Sequence, residues 1–167
     1  MTVIVALGIT LALMLVELRI SRRNERLLGA RGALAPADPI YPVMRLAYPG
    51  LFVLMAIEGV VSPPPGGSVL VVGLAIFAAA KLLKAWAITS LGGRWTYRVF
   101  VLPGERLVMD GPYRWLRHPN YLAVIAELLG FALLTGARWS GPFAILCFGE
   151  LLRRRIRSEE DALGLSR

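Results

Sequence analysis

"MTVIVALGITLALMLVELRISRRNER", Met1 to Arg26, is an apolar run that closes on four arginines, Arg19, Arg22, Arg23 and Arg26. A nearly continuous apolar run of about 20 residues suffices to cross the hydrocarbon core of a bilayer. A secretory leader carries its basic residues ahead of the apolar run, whereas here they follow it. The stretch therefore reads as a first transmembrane helix that stays in place.

Working outward, the same pattern recurs. Of 167 residues, 56% are hydrophobic and only 18% charged, and the mean hydropathy is +0.61. Five spans are expected: Thr2 to Leu18, Val43 to Val61, Val69 to Ser90, Pro119 to Thr135, and a fifth that begins near Pro142 and runs into "LLRRRIRSEEDAL". Glycines and prolines in "GARGALAPADPIYP" and "SPPPGGS" break the chain between the first three. The short "GARWSG" turn makes the last two a helical hairpin. The fold class is thus all-α, an integral membrane bundle of about five transmembrane helices in one structural domain. Residues 1–90 supply packing and a substrate entrance, and residues 91–167 supply the site.

Orientation follows from the basic residues in the short connections. If the N-terminus is outside and the C-terminus cytoplasmic, all of the 19 basic residues except Arg138 fall on the cytoplasmic side, Lys81 and Lys84 lying toward the same end of span three. A multi-pass protein of a bacterial inner membrane, its chemistry facing the cytoplasm, is the expectation. The net charge of +8 does not point to nucleic acid, because the basic residues sit at the ends of apolar segments and not along a soluble face. Cys147 is the single cysteine, which excludes a disulfide framework and a cysteine-based metal site. It reads as a small packing residue, and no metal is expected.

The longest non-apolar stretch, Leu91 to His118, leads into "DGPYRWLRHPNYLAVIAE", Asp110 to Glu127, which holds the only histidine. Proline is tolerated in the first turn of a helix, so Pro119 makes His118 the expected cap of span four. Free N–H groups at that end, with Arg114 and Arg117 nearby, suit a carboxylate or phosphate. Tyr121 falls near the face of His118. The same residue types also populate membrane-interface belts, so an interfacial anchor is the competing reading. The tail adds Glu159, Glu160 and Asp161 near a helix C-terminus, where they oppose the macrodipole, and Arg155 and Glu159 stand in the less favourable i,i+4 order. Local helix physics does not ask for these carboxylates. Beside an anion site they suit a ligand of both charges, such as an amino acid with a cationic sulfur.

"GPYRWLRHPNY" followed by "RIRSEE" resembles the isoprenylcysteine carboxyl methyltransferase family and its bacterial relatives, and "LGGRWTYRVFVLPGERLVMDGPY" resembles a bacterial subgroup acting on alkylpyrones or related polyketides. The resemblance covers Leu91 to Leu163. It implies a membrane methyltransferase using S-adenosylmethionine, with Tyr113, Leu116, Arg117, His118, Tyr121, Glu159 and Glu160 in the cofactor pocket and Arg155 as the arginine before the acidic pair. The acceptor would be a carboxyl or hydroxyl group of a lipophilic small molecule arriving from the lipid bilayer. "GGRWTYR" offers Arg94 and Arg98 to hold an anionic acceptor and Trp95 and Tyr97 to flank it; an amphipathic interface is the alternative for each.

Glu127, about two turns into span four, is a further substrate candidate, since carboxylates inside membranes are costly. It lies about 180° around the helix from His118, and a structural hydrogen bond is the competing role. Glu58 and Glu150 share that ambiguity. Two rival functions stay open. Sterol-type membrane reductases carry a similar "HPNY" and use NADPH, and a scaffold or lipid-binding subunit would use the motif only as an anchor.

Overall fold

A computed structural model of the chain describes residues 2–102, 104 and 108–162, with side chains described up to Glu159. Five α-helices account for the architecture: α1 Thr2–Ala30, α2 Tyr41–Val61, α3 Gly67–Leu91, α4 Pro119–Thr135 and α5 Ser140–Ala162. Two 3₁₀ turns, Gly92–Arg94 and Gly111–Arg114, interrupt the link from α3 to α4. α1, α2 and α3 are long and apolar enough to cross a membrane, and α4 is a shorter apolar helix. Exposed Trp86 and Trp115, their rings 5.9 Å apart, mark one end of the bundle, and Trp139, 84% exposed, marks the other, as membrane-interface tryptophans do.

α1 runs well past the expected end at Leu18. Its buried residues, Thr10, Met14, Glu17, Ser21, Asn24 and Leu28, step by four and three along one face. This is the stripe a helix needs to lie on a partner. The lower half of the stripe is polar because its partner is the link after α3. Asn24 donates to the carbonyls of Gly92 (3.0 Å) and Trp95 (2.8 Å), and the Ser21 hydroxyl accepts the Tyr97 N–H at 2.8 Å. Basic residues on the other faces do not stop a helix docked this way. Leu34 and Val101 exchange both backbone hydrogen bonds and tie the two long connections together.

Phe52, Met55, Leu128 and Phe131 are fully buried at the centre, with the rings of Phe52 and Phe131 edge to face at 4.9 Å. α3 and α4 pack closest, through small residues. A Cβ at Gly130 would stand 2.6 Å from the Phe77 backbone nitrogen, and one at Gly73 2.6 Å from that of Leu134. The Gly130→Ala substitution should therefore push the helices apart and cost about 1–3 kcal/mol. Gly50, with nothing within 4 Å, provides the control: Gly50→Ala should be neutral or stabilising. Unfolding midpoints of the detergent-solubilised proteins check this, and equal midpoints for Gly130→Ala and the parent would contradict the close seam.

The α4–α5 hairpin turns at Gly136, whose left-handed backbone (φ 72°, ψ 25°) ends α4. Glu58 of α2 caps the start of α5, accepting the N–H groups of Trp139 (3.0 Å) and Ser140 (2.7 Å) and the Ser140 hydroxyl. This gives Glu58 a structural task. Glu150 makes exposed pairs with Arg153 and Arg154. Cys147 is exposed on α5, beside Leu146 at 75% exposure, and is not the packing residue the sequence suggested.

Candidate active site

Pro119 opens α4 with His118 at the cap position, but the imidazole does not cap the helix. Its ring stacks on that of Tyr121 at 5.4 Å and 17°. Tyr121 in turn donates its hydroxyl to Glu159 at 2.5 Å, so the tail does reach the start of α4. Burial raises the Tyr113 phenol well above its ordinary value and the nearby Glu159 charge adds to it, so Tyr113 joins the same cluster as a neutral hydroxyl. Leu116 is 38% exposed and Arg117 is exposed at the rim of this cluster. The Glu160 side chain lies outside the described residues.

Beside Tyr121 a cavity of about 390 Å³ opens between α1, α2, α4 and α5. One wall is apolar, built from Leu11, Met14, Leu15 and Leu18 of α1 with Phe148 and Leu152 of α5. The polar wall comprises Tyr48, Lys84, Tyr97, Asn120, Tyr121 and Arg155. Asn120 Oδ1 is buried without a hydrogen-bond partner, an arrangement that costs free energy unless a ligand or water donates to it. Pro49, also in the lining, lacks the N–H that would bond the Arg45 carbonyl one turn back.

Behind the polar wall lies a cluster of charges from three helices, α1, α3 and α4. Glu127 Oε1 is 2.9 Å from Lys84 Nζ and its Oε2 2.9 Å from Lys81 Nζ, while Glu17 lies 3.3 Å from each lysine. Tyr48 donates to Glu127 at 2.5 Å, and Tyr97 to Glu17 at 3.0 Å. Burial pushes the Tyr97 phenol far up, the Glu17 charge adding to it, so the hydroxyl stays protonated and donating. Two lysines and two carboxylates balance, which is the condition for keeping charges in an apolar bundle. Lys81 and Lys84 turn inward from α3, and Lys84 is 2% exposed. Glu127 is likewise held here and does not border the cavity, so its place is structural, with Tyr48 between it and any ligand.

Arg155 is 3% exposed, ion-paired to Asp38, with a 2.7 Å hydrogen bond from Nη2 to the Tyr97 carbonyl. It braces the cavity wall. Trp95, 2% exposed, packs its ring 5.2 Å from that of Tyr97 and is absent from the lining. Arg94 and Arg98 are exposed on the link and also off the cavity, Arg98 lying over the Phe100 ring. Arg94, Trp95 and Arg98 lie outside the lining of this cavity, because Asn24 and Ser21 anchor the link with Trp95 turned inward. Of that stretch only Tyr97 reaches the cavity. Glu17, Asp38, Arg45, Tyr48 and Asn120 were not singled out. For Glu17 a signal existed: a carboxylate inside one apolar span and lysines inside another are candidates to pair.

The model of the isoprenylcysteine carboxyl methyltransferase (ICMT) family matches residues 71–164. The chain is 31% identical over 147 residues to the uncharacterized protein YpbQ of Bacillus subtilis (strain 168), covering 88% of each. It is 29% identical over 154 residues to an uncharacterized protein of Haemophilus influenzae, covering 92% of this chain and 90% of that one. No solved structure matches.

Proposed function

The chain belongs to the isoprenylcysteine carboxyl methyltransferase family, whose activity is methyl transfer, and we propose that it is an integral membrane S-adenosylmethionine-dependent O-methyltransferase acting on a lipophilic small molecule. One observation carries this reading. Tyr121 borders the apolar-walled cavity and at the same time bonds Glu159, so an acceptor pocket and a charged polar cluster share one side chain.

The residues fit a cofactor with cationic and hydrogen-bonding groups: Glu159 supplies a carboxylate, the stacked His118 and Tyr121 a ring platform, and Asn120 Oδ1 an acceptor without a donor. S-adenosylmethionine supplies an electrophilic methyl group on a sulfonium. Transfer of such a group is an in-line displacement, so the protein's work is alignment and exclusion of water. Tyr121, locked by His118 on one side and Glu159 on the other, aligns. The α1 and α5 leucines keep water from the acceptor. Arg155, held by Asp38, fixes the wall between them. The cavity's apolar side faces helices that themselves expose leucine and valine to lipid, which supports entry of the acceptor from the bilayer. The distribution of basic residues supports a site on the cytoplasmic side of a bacterial inner membrane.

Calorimetric titration of purified protein with S-adenosylhomocysteine and, separately, NADPH tests the reading. Binding of the first alone is expected; response to NADPH alone would make the chain a reductase, and response to neither would leave a non-catalytic lipid-binding protein. Methyl groups transferred to extracted lipid should be released as methanol by mild base if the acceptor is a carboxyl group and retained if it is a hydroxyl.

A further inference from the structure

Three phenols at the cavity direct their protons away from it. Tyr48, Tyr97 and Tyr121 border it, and each donates its hydroxyl to a carboxylate outside the lining, Glu127, Glu17 and Glu159 in turn. A phenol has one O–H, and its oxygen keeps acceptor capacity when that O–H is engaged. Among the described residues Tyr48 alone of the three also has a lysine on that oxygen, Lys84 Nζ at 3.2 Å, and Lys84 borders the cavity too. Glu127 does not border it; Tyr48 stands between.

Entry from lipid sets a requirement that this arrangement meets. Leu15 lines the cavity and is 55% exposed, on a helix long and apolar enough to cross a membrane. A charged oxygen is costly in hydrocarbon, so an acidic acceptor crosses it with its O–H intact, be it a carboxylic acid, a phenol or an enol. Methylation needs the electron pair of that oxygen free. The proton is therefore removed inside the cavity, by a group within hydrogen-bond reach of the acceptor oxygen.

We propose that Tyr48 and Glu127 form a proton relay that ionises the acceptor: its O–H proton passes to Tyr48 Oη as the Tyr48 proton passes to Glu127 Oε2. This rests on the methyltransferase reading for the identity of the ligand as acceptor, and it adds a chemical task to the structural place of Glu127. The atoms balance. One O–H bond breaks at the acceptor and one forms at Glu127, Tyr48 loses a proton and gains another, and the electron pair stays on the acceptor oxygen. Charge balances as well. With Glu127 neutral, Lys81 and Lys84 exceed Glu17 by one positive charge, which offsets the new oxyanion across the wall. Lys84 and the reprotonated Tyr48 hydroxyl are the donors nearest to it, and hydrogen bonds to an ionised oxygen are the stronger kind. A lone carboxylate in the place of the cluster would take the proton but leave the anion uncompensated in an apolar bundle.

The transfer needs no cofactor and is read without turnover. The probe is an octyl-substituted nitrophenol, whose anion has a visible band that the neutral form lacks. It is added to the full chain in nanodiscs of zwitterionic lipid, at a pH where the probe in empty discs stays protonated. The parent protein should give the phenolate band together with a new carboxylic-acid C=O stretch in the infrared difference spectrum, and no proton should appear in the medium. Glu127→Gln/Lys81→Met keeps Lys84 paired with Glu17; in it both the stretch and the phenolate band should be lost. Tyr48→Phe removes one hydroxyl and should lower the ratio of bound phenolate to phenol about tenfold, the worth of one hydrogen bond to a charged group. A parent protein without the carboxylic-acid stretch, or with a probe that stays neutral or is excluded, overturns the relay. So does a phenolate whose proton is found in the medium, a stretch that persists in the double variant, or a Tyr48→Phe protein that matches the parent. S-adenosylhomocysteine titration of the same preparations separates the two levels. A relay without cofactor binding removes the methyltransferase reading and keeps the proton-accepting site; cofactor binding without the stretch removes only the relay.

Discussion

Glu127→Ala is expected to destabilise the protein by about 3–5 kcal/mol, the usual cost of removing one partner from a buried ion pair. Glu127 is fully buried, with one lysine at 2.9 Å from each carboxylate oxygen and the Tyr48 hydroxyl at 2.5 Å. Its removal leaves two lysines facing Glu17 alone and a buried phenol without an acceptor. The double variant Glu127→Ala/Lys84→Met restores charge balance and should recover part of the loss, which a double-mutant cycle measures. Glu150→Ala, whose partners Arg153 and Arg154 are solvent-facing, should change little. Unfolding of the purified proteins in mixed micelles gives the numbers. A Glu127→Ala protein as stable as Glu150→Ala would mean that the cluster does not hold the bundle together.

The second large effect is expected at the tail. Glu159→Gln should weaken S-adenosylhomocysteine binding about a hundredfold, since truncating the charge of a partly desolvated contact costs about 2–5 kcal/mol. The amide can still accept the Tyr121 hydroxyl, so the α4–α5 contact survives and the unfolding midpoint should stay near that of the parent. Tyr121→Phe keeps the ring stacked on His118 and removes only the hydroxyl, with a smaller loss expected, about tenfold. Calorimetry on the three proteins checks the order. Unchanged affinity in Glu159→Gln would remove that carboxylate from the cofactor pocket and leave its bond to Tyr121 as a helix clamp.

Most of the helix framework was legible in the chain. Pro119 after His118, the "SPPPGGS" break and the glycine after Thr135 mark helix ends by local rules: proline lacks an N–H, and Gly136 adopts a left-handed backbone. The end of α1 was not legible. Arginines after Leu18 look like a membrane exit, yet the helix continues because Ser21 and Asn24 bond a link some 70 residues away in sequence. The approach of Glu159 to Tyr121 followed from topology, because both fall at one end of a short-turned hairpin. That Trp95 turns inward while Arg94 and Arg98 stay exposed did not follow, since an irregular link has no period from which to read its inward face.

What the amino-acid order determined by itself is local or additive: apolar length, helix starts and stops, the asymmetry of basic residues and the family motifs. Tertiary structure alone decided which charges meet. Glu17, Lys84 and Glu127 belong to three helices, and each by itself is an intramembrane liability. Their pairing depends on the rotation of each helix about its axis, which close packing at Gly73 and Gly130 sets for α3 and α4 and the Ser21 and Asn24 hydrogen bonds set for α1. The same rotations place Tyr121 between the cavity and Glu159.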